Sequence, residues 1–215
     1  RRIRDRIKEL KTELAGIGNE HQVQRARRSQ ENTVALVGYT NAGKSSLMRA
    51  LTGSEILVAD KLFATLDTKV RPMYPETKPK ILISDTVGFI KKLPHDLVAS
   101  FKSTLDEALH ASLLLYVVDG SDPSFRSQLT VTQKVLSEVG ANDVPFLLIL
   151  NKSDKISISE QDQLKVEFPE AVMISTRSEV DVKNLKEKIL SYFEQDMIQE
   201  ELLVPFHING ILIYF

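Results

Sequence analysis

The chain has 215 residues, of which 42% are hydrophobic and 27% charged, and its formal net charge is −1 at pH 7. This composition is typical of one globular α/β domain with a small appendage, and no apolar run is long enough to span a membrane. Cysteine is absent, which excludes disulfides and thiolate metal sites, and no signal peptide opens the chain. We therefore expect a cytoplasmic protein that has no membrane partner and is monomeric.

The charge is unevenly distributed along the chain. Residues 1–30 contain nine Lys or Arg and four acidic residues, whereas the remainder contains 19 basic and 25 acidic residues. Apolar residues recur at alternating steps of four and three from Ile3 to Ile17, which predicts a helix with an a/d seam. This basic arm (residues 1–30) is explained equally well as a helical or coiled-coil arm that contacts RNA and as an amphipathic helix packed on the domain.

Residues 38–45, with the sequence G-Y-T-N-A-G-K-S, match the phosphate-binding P-loop G-x-x-x-x-G-K-[ST]. An apolar strand is predicted before the motif at 33–37 and a helix after it at 46–51. Glycines allow the backbone N–H groups to turn toward phosphate, Lys44 can reach the β- and γ-phosphates, and Ser45 can bind Mg²⁺. A glycine turn that carries a lysine by coincidence would not need both flanking elements. The predicted phosphate-binding residues are Gly38, Tyr39, Thr40, Asn41, Ala42, Gly43, Lys44, Ser45 and Ser46.

The segment 51–67 lies between the first helix and the next strand pair, where P-loop GTPases carry their first switch. Thr65 is the predicted second Mg²⁺ ligand, with Thr68 as the alternative, and a plain loop hydroxyl is the competing interpretation. Residues 69–74 and 80–84 predict a β-hairpin, and the second strand runs into D-T-V-G at 85–88. At the carboxyl end of a strand beside the P-loop, Asp85 can hold Mg²⁺ through a water. The Gly88 N–H can meet the γ-phosphate.

The motif N-K-S-D at 151–154 predicts which base the bound nucleotide carries. A helix at 96–110, a strand at 113–119, a helix at 124–139 and a strand at 145–150 are predicted to lead into it. Asp154 can accept hydrogen bonds from the guanine N1–H and amine, which adenine cannot supply in the same place. Asn151 can bond N7 or brace the P-loop, and the Lys152 stem can lie over the base. A polar turn after a strand is the alternative, which the order of the three motifs disfavours.

A helix near 160–167 and a strand at 171–174 are predicted next, followed by Ser175, Thr176 and Arg177, whose backbone N–H groups can meet the guanine O6. An amphipathic helix through Phe193 closes the domain, and residues 203 onward begin a further module. The alternation of strands and helices predicts an α/β fold, the P-loop GTPase fold, with a mostly parallel six-stranded sheet, helices on both faces and a helical arm before it. The predicted domains are 1–30, the GTPase domain 31–197 and a truncated C-terminal domain 198–215, so we expect a fragment.

With these motifs in place, the chain resembles the Obg–HflX group of translational GTPases, and most closely the HflX family. The P-loop at 38–45, the first switch at 59–67 and the D-x-x-G with second switch at 85–95 carry the resemblance. Thr68-Lys69 departs from the proline usual there, and Ser175-Thr176-Arg177 departs from S-A-K. The resemblance implies a ribosome-associated GTPase that binds the large subunit and its ribosomal RNA and helps to split stalled or idle ribosomes.

The expected reaction is Mg²⁺-dependent hydrolysis of GTP to GDP, with Lys44, Thr65 and Gly88 as its catalytic groups. Phe89 follows D-x-x-G, where many small GTPases have a water-orienting Gln, so we predict slow hydrolysis that a partner stimulates. Asn41 is a candidate for holding K⁺, and a hydrogen bond that shapes the P-loop is its alternative role. Two other functions stay open: a small-GTPase-like signalling switch acting on protein effectors, and an RNA-binding module in which GTP is structural.

Overall fold

The computed structural model describes residues 31–53, 69–86 and 108–195. Six strands are present in these ranges: β1 Asn32–Val37, β2 Lys69–Pro72, β3 Ile81–Asp85, β4 Leu113–Asp119, β5 Phe146–Asn151 and β6 Val172–Met173. Four α-helices alternate with them: α1 Lys44–Thr52, α2 Phe125–Val139, α3 Ile158–Glu167 and α4 Glu179–Glu194. A 3-10 turn at Ser153–Lys155 follows β5.

The six strands form one sheet in the order β2-β3-β1-β4-β5-β6. Only the β2–β3 pair is antiparallel, and the other pairs are parallel. The register aligns Leu36 with Asp85 and Asp119 with Asn151. The predicted mostly parallel six-stranded sheet is therefore confirmed, and the carboxyl ends of its central strands share one edge.

Alternate residues of each central strand enter different cores. In β4, Leu113, Leu115 and Val117 join the core that contains α1 and α4. Their neighbours Leu114, Tyr116 and Val118 join the core that contains α2 and α3. A strand covered on both faces needs apolar residues at every position, which is why these strands read as continuous hydrophobic runs. The two cores thus support the sheet from both faces beneath the loops that follow the strands.

Helix boundaries follow local capping. α3 begins at Ile158, two residues before the predicted start, because Ser157 and Glu160 form a reciprocal capping box. α2 ends at Val139, where Gly140 adopts a left-handed conformation at φ 89°. None of the described helices is both long and apolar enough to cross a bilayer.

Several predictions concern residues that lie outside the described ranges. These are the basic arm, the first-switch segment with Thr65 and Thr68, the segment 87–107 with Gly88 and Phe89, and residues 198–215. The helix predicted at 96–110 is described only at its end. These predictions stay predictions.

Candidate nucleotide-binding site

The P-loop after β1 requires glycine at two positions. Gly38 has φ 149°, and a Cβ there would lie 2.1 Å from the Val117 carbonyl oxygen. Gly43 has φ 97°, and a Cβ there would lie 2.2 Å from Asn151 Nδ2. Backbone of β4 and a side chain from β5 thus press against the loop at both glycines. The loop is shaped by the sheet edge on which it lies.

The loop leads into α1, whose N-terminus has no side-chain cap. The first N–H groups of a helix have no partner within the helix, and they carry the positive end of its dipole. Among the residues described, no acidic side chain occupies the first turn of α1. This end of the helix therefore favours an anion such as phosphate.

Lys44 is buried, with 6% of its surface exposed. Its Nζ donates hydrogen bonds to the backbone oxygens of Gly38 at 3.1 Å and Tyr39 at 2.9 Å. An ammonium has three N–H groups. Two of them bond these backbone oxygens, so that, as far as the described residues go, the third is available to an anion. Burial lowers the pKa of Lys44 to about 8, and the charge of Asp85 opposes this shift. A phosphate at this place would restore the charged form.

Ser45 and Asp85, the two residues that are predicted to hold Mg²⁺ from the P-loop and D-x-x-G, meet at the end of β3. The Ser45 hydroxyl donates to Asp85 Oδ2 at 2.8 Å. Asp85 is buried, with 1% of its surface exposed. Thr86 donates from Oγ1 to the Leu36 carbonyl oxygen at 2.7 Å, which attaches the start of D-x-x-G to β1. Hydroxyl and carboxylate oxygens are the ligands that Mg²⁺ prefers. Within the described residues no cluster of three or more His or acidic residues could hold a metal alone.

Two residues of N-K-S-D bind the P-loop rather than point away from it. Asn151 Nδ2 donates to the Ala42 carbonyl oxygen at 2.9 Å, so the bracing role is the one observed. Lys152 Nζ donates to the Asn41 carbonyl oxygen at 2.9 Å and to Asp119 Oδ2 at 2.7 Å. Asn41 and Lys152 both have left-handed backbones, at φ 62° and 63°. The β5 loop and the P-loop are therefore joined by side chains.

Asp154 is fixed by the loop after β6. The Ser175 hydroxyl donates to Asp154 Oδ1 at 2.7 Å, and Arg177 Nη1 lies 3.7 Å from Asp154 Oδ2. The Ser175 hydrogen bond is the main cause that lowers the pKa of Asp154, with the charge of Arg177 contributing. Asp154 is therefore an ionised acceptor at neutral pH.

Two of the three backbone N–H groups of residues 175–177 already donate hydrogen bonds within the protein. The Ser175 N–H donates to Asp181 Oδ2 at 2.8 Å, and the Arg177 N–H donates to Ser175 Oγ at 3.3 Å. Within the part of the chain that the structure describes, the Thr176 N–H has no hydrogen-bond partner. Of the three predicted N–H groups, Thr176 is thus the one that can meet a base.

The sheet edge brings together the P-loop, Asp85 and the loops after β5 and β6, which carry the residues that are predicted to recognise the base. Two further acidic residues, Asp119 and Asp181, contact the residues of these loops and were not among the predicted site residues. Asp119 ends a buried strand as Asp85 does, which was a usable signal. Asp181 is the last residue of an S-x-x-D helix start at 178–181, a pattern that does not indicate the contact of its carboxylate with Ser175, so only the folded chain reveals that contact. Thr65 and Gly88 lie outside the described residues.

The comparisons with known proteins agree with this geometry. The family described as "50S ribosome-binding GTPase" matches residues 33–152. GTPase HflX of Gluconacetobacter diazotrophicus is 55% identical over 212 residues, which cover 99% of this chain and 47% of that protein. GTPase HflX of Escherichia coli is 35% identical over 209 residues, which cover 95% of this chain and 49% of that protein. The chain spans about half the length of the curated relatives it matches.

Solved structures show the same fold. A GTP-binding protein from Sulfolobus solfataricus in complex with GDP has TM-score 0.60 and 26% identity, covering 87% of this chain and 62% of that one. Era in complex with MgGDPNP and nucleotides 1506–1542 of 16S ribosomal RNA has TM-score 0.56 and 25% identity, covering 81% of this chain and 59% of that one. The chain belongs to the 50S ribosome-binding GTPase family and, within it, to the HflX GTPases.

Proposed function

We propose that this chain binds GTP and hydrolyses it to GDP in a Mg²⁺-dependent reaction that is slow alone and stimulated by the large ribosomal subunit. The observation that carries the proposal is the shared sheet edge. It holds a buried lysine in a P-loop, a Ser45–Asp85 pair and an ionised Asp154 fixed by Ser175. Phosphate, metal and guanine recognition are thereby available in one place.

Phosphate would be held by the P-loop and the N-terminus of α1. Lys44 keeps two hydrogen bonds to the backbone of Gly38 and Tyr39, so its Nζ is aimed before any ligand arrives. Its remaining N–H and the N–H groups at the start of α1 would meet the β- and γ-phosphate oxygens. This charge neutralisation is the main contribution that protein groups make to phosphoryl transfer.

The residues present fit Mg²⁺. The Ser45 hydroxyl would be a direct ligand and the buried Asp85 carboxylate would act through a water, as their 2.8 Å contact allows. When bound, Mg²⁺ neutralises charge on the β- and γ-phosphates. Thr65 as a further ligand and the Gly88 N–H as a γ-phosphate donor complete the proposed set.

Guanine would bind between the loops after β5 and β6. Asp154 would accept from N1–H and the exocyclic amine, and the Thr176 N–H would donate to O6. Adenine has an acceptor at N1 and an amine in place of O6, so it would oppose both protein groups and leave them unpaired. Lys152 would cover one face of the base with its stem while Asp119 and the Asn41 backbone hold its Nζ.

We also propose that Asn41 takes part in a K⁺ site. Its backbone oxygen is bonded to Lys152, and the residue is exposed on the P-loop, so its amide can turn toward the phosphates. Faster hydrolysis in K⁺ than in Na⁺, lost in Asn41→Ala, is the expected result. Equal rates in the two salts would remove K⁺ from the mechanism.

The ribosomal part of the proposal is supported by the family description and by the HflX relatives. In this proposal, ribosomal RNA is the anionic partner of the basic arm, and the whole protein helps to split stalled or idle ribosomes. Phe89 cannot orient a water, so slow hydrolysis without a partner is expected.

The decisive test is GTP hydrolysis by the chain alone, with purified large subunits and with small subunits as the control, over a series of salt concentrations. Stimulation specific to the large subunit that weakens as salt increases would support docking through basic residues. Tight GDP binding without stimulation would leave a guanine-nucleotide-binding protein and contradict the ribosomal trigger. Nucleotide binding without any hydrolysis would favour a structural nucleotide.

A further inference from the structure

Asp181 makes a contact that neither the motifs nor the P-loop explains. It is the third residue of α4, and its N–H donates to the capping hydroxyl of Ser178 at 3.2 Å. Its carboxylate has a hydrogen-bond partner within the protein, because Oδ2 accepts the Ser175 N–H at 2.8 Å. α4 itself is anchored in the core by Val182, Leu185 and Ile189. A helix that is packed into the core therefore contacts the loop after β6 through its first turn.

Ser175 is the point where this contact acts. The residue is 4% exposed. Its N–H is taken by Asp181, its carbonyl oxygen accepts the Ser178 N–H at 2.9 Å, and its hydroxyl binds Asp154 at 2.7 Å. All its polar groups are thus satisfied within the protein, and these hydrogen bonds hold the loop from three sides.

We propose that Asp181 is a positioning residue for guanine recognition. The proposal rests on the proposed function, because it names what aligns the carboxylate that would read the base. Asp181 holds Ser175, and Ser175 holds Asp154, so two hydrogen bonds connect the helix with the base-reading carboxylate. In a trans peptide the N–H and C=O point in opposite directions. Since the Ser175 carbonyl is held by Ser178, the Thr176 N–H of the same peptide is directed away from that turn.

Removal of the carboxylate would leave a buried Ser175 N–H without an acceptor. A buried donor without a partner is unfavourable, so the loop would shift to reach water. That shift would move the Ser175 hydroxyl away from Asp154. Among the described residues, none of the hydrogen bonds at the phosphate end involves Asp181, so that end should be unaffected. The loss of nucleotide affinity would therefore come from weakened contacts with the base.

The experiment compares GDP with inosine diphosphate, which lacks the exocyclic amine that Asp154 would accept. Binding of each nucleotide is measured by calorimetry for the unsubstituted chain and for Asp181→Ala, Asp181→Asn and Glu179→Ala. Glu179→Ala is the matched control, because it removes an exposed acid from the same first turn of α4. Thermal unfolding of each variant reports on the fold.

In Asp181→Ala, GDP binding should weaken about tenfold, which is the effect of one orphaned buried donor. Binding of inosine diphosphate should weaken less than binding of GDP, so that the preference for GDP falls about threefold. Asp181→Asn keeps an oxygen acceptor and should restore the preference, and Glu179→Ala should leave it unchanged. If Asp181→Ala does not fold, Asp181→Ser replaces it, because its short hydroxyl cannot reach Ser175 as the carboxylate does.

Equal weakening of both nucleotides, or lower thermal stability with an unchanged preference, would overturn the positioning role and leave Asp181 as a residue that contributes to stability alone. An Asp181→Asn variant as impaired as Asp181→Ala would overturn the hydrogen-bond account. Absence of GDP binding by the unsubstituted chain would instead contradict the proposed function, so the two failures are distinguishable.

Discussion

The phosphate end and the base end of the candidate site are built differently. The phosphate end is one continuous segment, in which Gly38 and Gly43 fit against neighbouring backbone and side chains with no space for a Cβ. The base end is assembled from two loops about twenty residues apart, joined by the Ser175–Asp154 hydrogen bond. Close packing of the loop backbone, braced by Asn151 and Lys152, defines the first. Hydrogen bonds between side chains of the two loops define the second.

This difference predicts how each end responds to substitution. A Cβ that overlaps backbone atoms cannot be accommodated by a small shift of its neighbours, because the surrounding sheet is close-packed. A lost side-chain hydrogen bond leaves a loop that can adjust. Substitution at the phosphate end should therefore affect folding and all nucleotides, whereas substitution at the base end should change affinity and base preference by degrees.

The largest effect is expected for Gly38→Ala. Its Cβ would overlap the Val117 carbonyl at 2.1 Å, and we expect a loss of stability above about 3 kcal/mol with no nucleotide binding. Denaturant unfolding and GDP titration measure both. Gly140→Ala is the control, because φ is also positive at 89° but the nearest atom outside its own chain neighbours is 3.9 Å away. It should lose only roughly 1–2 kcal/mol. Equal losses would show that strain, not contact, governs Gly38.

Asn151→Ala tests the connection between the two ends. It removes the donor to the Ala42 carbonyl, which should lower stability by about 1–3 kcal/mol. Because the P-loop loses its brace, GDP and inosine diphosphate should weaken together, by about tenfold. The exposed Asn142→Ala serves as the control in the same unfolding and binding measurements. A loss confined to base preference would place Asn151 with the base end instead.

Ser175→Ala should produce a smaller effect, confined to the base end. Without the hydroxyl the main cause of the lowered Asp154 pKa disappears, so that pKa should rise toward its ordinary value. The folded-state pKa of Asp154 is depressed, so the stability that this bond contributes is present at neutral pH and is lost as pH falls through that pKa. GDP should weaken about threefold to tenfold. An unchanged Asp154 titration by NMR would contradict this account.

The smallest effect concerns protons at the phosphate end. Free Lys44 has a pKa of about 8, so near pH 8 about half of the molecules carry a neutral lysine. Phosphate favours the charged form, and GDP binding near pH 8 should therefore take up about half a proton, with affinity falling at higher pH. Calorimetry in EDTA, in buffers of different ionisation enthalpy, measures the uptake. No uptake at pH 8 would mean that Lys44 is already fully charged.

The order of elements and the motifs were readable from the sequence for physical reasons. A parallel strand buried on both faces leaves a continuous apolar run, as in β4, and a glycine–lysine loop after such a run has few other uses. The predicted α2 at 124–139 is observed at Phe125–Val139, because its start and stop depend on residues next to it. Asp85 and Asp154 were predictable because Asp85 ends one buried strand and Asp154 closely follows another.

Other features depended on contacts between distant segments. The sequence left Asn151 with two roles, and only the approach of β5 to the P-loop revealed its hydrogen bond to Ala42. The salt bridge between Lys152 and Asp119 joins residues 33 positions apart. The hydrogen bond from Ser175 to Asp181 needed the position of α4. By itself the sequence determined the fold class and the motifs, because both depend on local pattern. Tertiary structure decided which partners those side chains meet, because hydrogen bonds depend on distances that no spacing along the chain encodes.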